Sequence, residues 1–127
     1  MREPETDRVV RLLAEGRAAI SRLSEAEVSS ALARRRREGD LGTAQYAAAV
    51  QALRRDLASL DVVELAPEVL GRVHDLQSRH GLRVADALQL ASALSLRPDG
   101  DVAAELVCFD DRLRTAARAE GFVVVPD

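Results

Sequence analysis

The sequence predicts an α/β fold, a three-layer sandwich in which a parallel sheet is flanked by helices. Short apolar runs alternate with longer stretches of helical periodicity, and strands that are separated by helices pair in parallel. Two of these runs, LVCF and FVVV, have no polar alternation, which is typical of strands covered on both faces. A length of 127 residues with 47% hydrophobic and 31% charged residues, and no repeat or linker, predicts one domain over residues 1–127.

The first third of the chain is predicted to form two helices around a strand. A helical apolar pattern runs from the capping residue Thr6 to Gly16, and the apolar run Ala18–Ser21 is the first candidate strand. Ser24 then opens a second helix, with Glu27 three residues later in the arrangement of a capping box. That helix is expected to stop near Gly39.

Helices and strands continue to alternate in the rest of the chain. A third helix begins at Thr43, and the β-branched run Asp61–Leu65 is the next strand. Proline at a first helical position predicts a helix over Pro67–Gly81. The segment Val84–Leu96 is apolar on more than one face and should be the buried helix. After a loop come the strand AELVCF, the helix DRLRTAARAE ending at Gly121, and the strand FVVV.

Composition limits the chemistry that the chain can carry. No apolar run reaches the ~20 residues of a membrane-spanning helix, and the charged opening lacks the apolar core of a signal peptide, so we expect a cytoplasmic protein. A single cysteine, Cys108, and two histidines, His74 and His80, leave no ligand set for structural zinc. Any metal would have to be held by oxygen. We expect Cys108 to be a small core residue and the histidines to be solvated.

The basic residues carry less information than their number suggests. All 18 are arginine, which is typical of a GC-rich genome, and the net charge is -3, so nothing draws the whole chain to nucleic acid. The run Arg34, Arg35, Arg36 and Arg37 is best explained as cations at a helix C-terminus that complement the helix dipole. Contact with an RNA backbone is the alternative, and it would show in the salt dependence of binding.

Three acids lie after strands or near the starts of helices, where α/β sheets place their functional crevice. They are Glu27, Asp86 and Asp110. Each also has a structural explanation, as a capping-box residue, a first-turn acid and an N-cap respectively, each worth ~1 kcal/mol. Asp86 argues for function because an acid within an otherwise apolar helix is costly to bury without a partner or metal. Asp111 is expected to point away to solvent.

Three blocks that contain these acids resemble the PIN-domain family, and within it the VapC-type toxin ribonucleases. ISRLSEAEVSSALAR is similar to the family's strand, turn and helix with an acidic Glu, here Glu27. LRVADALQLASAL is similar to its most distinctive segment, with Asp86. LVCFDDRLRTAARAEGFVVV is similar to its final strand, helix and strand, with Asp110. Gln89 stands where the family often has histidine, and Cys108 where it often has a small hydroxyl; we expect neither to touch the acids.

The resemblance implies hydrolysis of RNA phosphodiester bonds assisted by Mg²⁺ or Mn²⁺, which carboxylate oxygens suit. Asp86 and Asp110 would bind the metal, and Glu27 would complete the cluster directly or through water. It also implies a homodimer and a cognate antitoxin protein that buries apolar side chains and places a basic group at the acids. The alternatives are a catalytically impaired PIN-like interaction module and a PIN nuclease of RNA processing without a toxin role.

One part of the family pattern has no counterpart in this chain. Family members begin with an apolar central strand that ends in Asp and a small hydroxyl residue, whereas MREPETDRVVRLL resembles the second half of the helix that follows. We therefore expect an N-terminally incomplete domain. The translation start would be assigned too far downstream, and the in-frame DNA upstream of it would encode the strand. Without that strand, two neighbouring strands should have unpaired backbone edges.

Overall fold

A computed structural model describes residues 12–14, 17–97 and 105–126. Over these residues the chain forms one sheet of five strands accompanied by helices. The strands are β1 (Leu12–Ala14), β2 (Arg17–Ser21), β3 (Asp61–Val63), β4 (Glu105–Val107) and β5 (Val123–Val125). The helices are α1 (Arg22–Arg37), α2 (Thr43–Ala58), α3 (Pro67–Leu70), α4 (Val73–His80), α5 (Val84–Leu96) and α6 (Asp111–Ala119).

The sheet has the order β3-β2-β1-β4-β5, and its outer pairs are parallel, as the alternation of strands and helices predicts. Ala19, Ile20 and Ser21 are consecutive in β2, and all three are buried. Because consecutive side chains of a strand point to opposite faces, both faces of β2 are covered. The predicted α/β sandwich is confirmed.

The centre of the sheet differs from the prediction. Leu12–Ala14 form β1 rather than part of a helix, while the rest of the helix expected from Thr6 to Gly16 lies outside the described residues. Strand β1 runs antiparallel to both β2 and β4, with Leu12 opposite Ala19 and Leu106. The edges expected to be unpaired are therefore paired. The backbone groups of two buried strands need hydrogen-bond partners, and that demand outweighs a local helical pattern.

Helix α1 begins three residues earlier than its capping pattern suggests. Ser21 is the N-cap, and its Oγ accepts a hydrogen bond from the backbone N–H of Leu23 at 3.1 Å. Ser24 consequently lies inside the helix and is buried. The capping box predicted for Ser24 and Glu27 is wrong, so Glu27 has no capping role.

The helix predicted over Pro67–Gly81 is divided into α3 and α4 at Gly71. A Cβ at this glycine would lie 3.2 Å from the carbonyl oxygen of Pro67, so the break uses the small residue for a close backbone approach. Helix α4 does end at Gly81, which has a φ of +64°. This is the left-handed C-terminal position that favours glycine.

Helix α5 lies at the centre of the packing. It contacts α1, α3, α4, α6 and β2. Its buried residues include both apolar and polar side chains, and they are Ala87, Gln89, Leu90, Ala91, Ser92, Ala93 and Leu94. The prediction that this helix is the buried one is confirmed, and the first turn of α5 brings Asp86 to the end of the core. In the part of the chain that the structure describes, no helix has the length and apolar character to cross a membrane.

Candidate functional site

Asp86 and Asp110 line one cavity of about 380 Å³ together with Arg83, Asp111 and Arg112. We call this the acid cavity. The two acids lie on different elements, Asp86 in the first turn of α5 and Asp110 in the connection between β4 and α6. The fold thus brings two of the three predicted site residues together.

Asp110 serves a structural role as well as lining the cavity. It is the N-cap of α6, and its Oδ1 accepts a hydrogen bond from the backbone N–H of Leu113 at 3.1 Å. Asp86, at the start of α5, also lies where the helix dipole stabilises a negative charge. Both structural explanations therefore hold at the same time as a shared cavity. The starts of two helices therefore meet at the acid cavity.

Glu27 is connected to the same region through α5. It is not one of the residues that line the acid cavity. Its Oε1 accepts a hydrogen bond from Nε2 of Gln89 at 2.8 Å. Gln89 follows Asp86 by three residues, so both project from the same side of α5. The expectation that Gln89 does not touch the acids is wrong.

Gln89 belongs to a buried polar network between α1, β2 and α5. Its Nε2 also donates to Ser24 Oγ at 2.9 Å, and nearby the hydroxyls of Ser21 and Ser92 are hydrogen-bonded to each other at 3.0 Å. These four residues are each 2% exposed. Helical periodicity marks positions 24, 89 and 92 as core, and polar residues at core positions are the sequence signal that could have revealed this network.

The donor set of the acid cavity fits a hard divalent cation. Mg²⁺ is commonly bound by one or two carboxylates together with water and substrate phosphate, and Asp86 and Asp110 supply two such groups in one cavity. Within residues 12–14, 17–97 and 105–126 no three His, Cys, Asp or Glu side chains come close enough together to hold an ion. The predicted metal ligands in the cavity are therefore a carboxylate pair, Asp86 and Asp110, with Glu27 one hydrogen bond from α5.

Three further residues of the acid cavity were not predicted as site residues. Asp111 is exposed, but it lines the cavity, so the expectation that it points elsewhere is wrong. Arg83 and Arg112 bring two guanidinium groups to the same cavity. Their sequence positions could have identified them as candidates, since each lies at the start of a helix that carries or follows a predicted acid. Arg83 precedes α5, and Arg112 follows Asp111 at the start of α6.

The arginine run of α1 lies in its last turn, as the dipole interpretation expects. The guanidinium of Arg36 lies 4.8 Å from the ring centroid of Tyr46 on α2, in cation–π contact. At least one residue of the run therefore takes part in packing α1 against α2.

Of the two histidines, His74 is exposed and His80 is not. The side chain of His80 is 14% exposed, and its Nε2 lies 2.7 Å from Oε2 of Glu120. The expectation of a solvated side chain is wrong for His80, because Glu120 at the end of α6 holds it against the protein. Cys108 is fully buried, and burial raises the pKa of its thiol to about 11. Its predicted role as a core residue is confirmed.

Comparison with known proteins identifies the family. Residues 2–119 match the PIN domain family. The chain belongs to the PIN-domain family. Ribonuclease VapC45 of Mycobacterium tuberculosis (strain CDC 1551 / Oshkosh) and Ribonuclease VapC49 of Mycobacterium tuberculosis (strain ATCC 25618 / H37Rv) are each 39% identical to it over 106 residues, which cover 84% of this chain and 72% of theirs.

The PIN-domain resemblance inferred from the three sequence blocks is thus confirmed, together with its similarity to VapC-type ribonucleases. In this PIN domain the blocks with Asp86 and Asp110 meet at the acid cavity. The block with Glu27 forms β2 and α1 and reaches α5 through Gln89.

Proposed function

We propose that this PIN domain is an endoribonuclease of the toxin–antitoxin type that hydrolyses RNA phosphodiester bonds at the acid cavity. The observation that carries the proposal is the meeting of Asp86 and Asp110, from different parts of the fold, in one cavity that two arginines also line. Its two relatives at 39% identity are named ribonucleases, which supports the same chemistry. RNA in the cell as substrate would place the activity in the cytoplasm.

We further propose that the activity requires Mg²⁺ or Mn²⁺. Asp86 and Asp110 would hold the cation, and Glu27 would contribute a third carboxylate directly or through water. Carboxylate oxygens suit both ions. A bound divalent cation supplies activation of water and neutralises charge on the phosphate. Asp110 is already oriented for such a role, because its Oδ1 is fixed by the backbone N–H of Leu113.

Arg83 and Arg112 are proposed to bind the RNA phosphates next to the acids. Two guanidinium groups reduce the repulsion between a carboxylate site and a polyanion, and arginine binds phosphate oxygens in a bidentate manner. Both side chains are exposed and line the acid cavity. Phe109 directly precedes Asp110 and is 48% exposed, so it offers a face on which an unpaired base can stack.

The experiment that tests the proposed function measures RNA cleavage with Mg²⁺ or Mn²⁺, before and after chelation. Asp86→Asn and Asp110→Asn should each reduce cleavage by on the order of a hundredfold or more, because a neutral amide is a poor ligand for a hard cation. Asparagine is as good an N-cap as aspartate, so the Asp110 variant keeps α6 intact. Asp75→Asn alters an exposed acid that is paired with Arg79 on α4, and it should leave cleavage unchanged. Full cleavage by the Asp86 variant would refute the proposal.

The salt dependence of RNA affinity shows which arginines contact the RNA. It is measured in the Asp86→Asn background, where cleavage is strongly reduced. For single-stranded RNA, the slope of log affinity against log salt falls by roughly 0.7 for each phosphate that the protein no longer neutralises. Replacement of Arg83 and Arg112 by glutamine should flatten the slope. Replacement of Arg36 and Arg37 tests the alternative in which the α1 run binds RNA, and an unchanged slope would assign that run to helix packing alone.

The antitoxin and the homodimer remain proposals that follow from the similarity to VapC-type proteins. Val84 and Phe109, next in sequence to residues of the acid cavity, are 60% and 48% exposed. A partner segment that covers these two side chains and places a basic group at the acids would compete with RNA. Inhibition that added RNA relieves would support this arrangement, and sedimentation would determine the oligomeric state.

A catalytically impaired interaction module is the second candidate. It is favoured by the carboxylate pair, since the described residues contain no group of three donors. Mn²⁺ binding decides between the two functions. Absence of binding at millimolar Mn²⁺, together with retained binding of a partner protein, would establish the module.

A further inference from the structure

Gln89 is a buried amide whose hydrogen-bonding groups are all engaged. It is 2% exposed. Its two N–H groups donate to Glu27 Oε1 at 2.8 Å and to Ser24 Oγ at 2.9 Å, and its Oε1 accepts from the Ser24 hydroxyl at 3.3 Å. A carboxylate accepts but does not donate, so the amide must present its nitrogen to Glu27. The side chain is thereby fixed in one orientation.

Gln89 is a polar residue among apolar core residues of α5. Ala87, Leu90 and Ala91 on the same helix are all fully buried, and an apolar residue would avoid the cost of burying an amide. What an apolar residue could not do is donate to the Glu27 carboxylate. A hydrogen bond to an ionised acceptor is about twice as strong as one between neutral groups.

The position of this hydrogen bond connects two predicted site residues. Glu27 lies on α1, whereas Asp86 lies one turn before Gln89 on α5. We propose that Gln89 is a positioning residue that holds the Glu27 carboxylate against α5, one turn from Asp86. From there Glu27, which does not itself line the acid cavity, would reach a cation at Asp86 directly or through water. The inference rests on the proposed function, in which Glu27 contributes to binding of the cation. Groups of this kind that orient metal ligands typically change metal affinity by 10–100-fold when they are removed.

Mn²⁺ binding to the full chain, measured by electron paramagnetic resonance of the free ion, tests the inference without an assay of cleavage. Gln89→Met keeps the approximate volume and removes both donors. It should weaken Mn²⁺ binding by about tenfold. Glu27→Gln should weaken it as well, and the double variant should bind no more weakly than Glu27→Gln alone, since Gln89 acts through Glu27.

Ser92→Ala is the matched control. Ser92 is also 2% exposed, lies three residues after Gln89 on α5, and is hydrogen-bonded to the Ser21 hydroxyl at 3.0 Å. Within residues 18–97 and 105–126, its hydroxyl bonds to Ser21 and to the carbonyl oxygen of Leu88, and to none of the three acids. Its loss should reduce the stability of the fold to a similar extent and leave Mn²⁺ affinity unchanged. If Gln89→Met does not fold, Ser24→Ala provides the same test, because it frees the amide and keeps both Gln89 and Glu27.

The outcomes separate this inference from the proposed function. Unchanged Mn²⁺ affinity in Gln89→Met, or a loss that adds fully to that of Glu27→Gln, would overturn the positioning role. If Asp86→Asn abolishes Mn²⁺ binding in the same assay, the proposed function survives that result. If Asp86→Asn binds Mn²⁺ as tightly as the original chain, the proposed metal site is refuted, and the positioning role of Gln89 is refuted with it.

Discussion

Helices α5 and α2 are both apolar in part, but they are buried to very different extents. Seven residues of α5 are buried, and it packs against four helices and a strand. No residue of α2 is buried, and its packing is chiefly against α1 and β3. The apolar pattern predicts this difference, because α5 is apolar on more than one face whereas the apolar residues of α2 form a single stripe. The more deeply packed helix is the one that carries Asp86 and Gln89, so two residues of the predicted site and its surroundings lie on the helix at the centre of the packing.

The largest expected difference between α5 and α2 is in the unfolding free energy that is lost when one leucine of each helix is truncated to alanine. Leu90 on α5 is fully buried. Leu90→Ala should lower the unfolding free energy by about 2–5 kcal/mol, because it removes buried apolar groups and leaves a cavity in the core. Leu53 on α2 is half-buried, and Leu53→Ala should cost about 1 kcal/mol. Urea unfolding followed by circular dichroism measures both values. Equal losses would contradict the difference in depth.

Thiol labelling probes the same contrast by chemistry. Cys108 packs in the core cluster that contains Leu90, and burial raises the pKa of its thiol from 9.0 to about 11. At pH 8 this lowers the thiolate fraction roughly a hundredfold, and the buried sulfur also excludes the reagent. Folded protein should therefore react with an alkylating agent at least a hundred times more slowly than unfolded protein.

A matched control places the thiol on α2. Ala47 is exposed on that helix, so Ala47→Cys in a Cys108→Ala background should react at nearly the unfolded rate. Rapid labelling of Cys108 in the original chain under folding conditions would show that the α5 core opens readily.

The contact between Glu120, at the end of α6, and His80 and Arg79 of α4 should make a smaller contribution to stability, and one that depends on pH. Burial opposes ionisation of Glu120, but hydrogen bonds from His80 and Arg79 outweigh it and hold the pKa of Glu120 below its usual value of 4.5. A lowered pKa in the folded state stabilises the fold above the unfolded pKa, and the contribution is lost as the pH falls through the folded pKa.

Glu120→Gln should accordingly cost about 1 kcal/mol at pH 7 and progressively less on acidification below pH 4.5. Stability measured by urea unfolding between pH 3 and pH 7 tests this. A cost that is the same at both ends of the range would assign the effect to packing rather than to charge.

The smallest expected change in unfolding free energy comes from a substitution at the start of α2. Its N-cap is Gly42, which has no capping side chain, although its N–H donates to Gln45 Oε1 at 2.9 Å. A Cβ at Gly42 would make only ordinary contact, 3.7 Å from that oxygen. Gly42→Asp should raise the unfolding free energy by a few tenths of a kcal/mol, seen as a small increase in Tm. It should leave Mn²⁺ binding unchanged, since α2 does not contribute to the acid cavity.

Much of the fold could be predicted because local signals were strong. Pro67 begins a helix, Thr43 begins another, and Gly81 and Gly121 end helices with positive φ. The capping serine of α1 was misassigned because Ser21 and Ser24 are equally good caps in sequence. Only the packing of Ser24 against Gln89 distinguishes them.

The pair of acids in the cavity could be predicted because both follow rules about where strands and helices begin. Three other features depended on contacts between distant segments. The strand at Leu12–Ala14 is determined by the free edges of β2 and β4, the bond from Gln89 to Glu27 spans α5 and α1, and Arg112 reaches the cavity only when α6 docks. No local pattern reports such contacts.

The antiparallel strand β1 has a consequence for the order of folding. Its pairing with β2 closes over two intervening residues, whereas its pairing with β4 joins positions roughly ninety residues apart, and closure of so long a segment is slow. We expect the hairpin to form early and β4 to dock late. Since Asp110 lies only three residues after β4 ends at Val107, the carboxylate pair would be assembled only in that last step, after most of the chain is already folded.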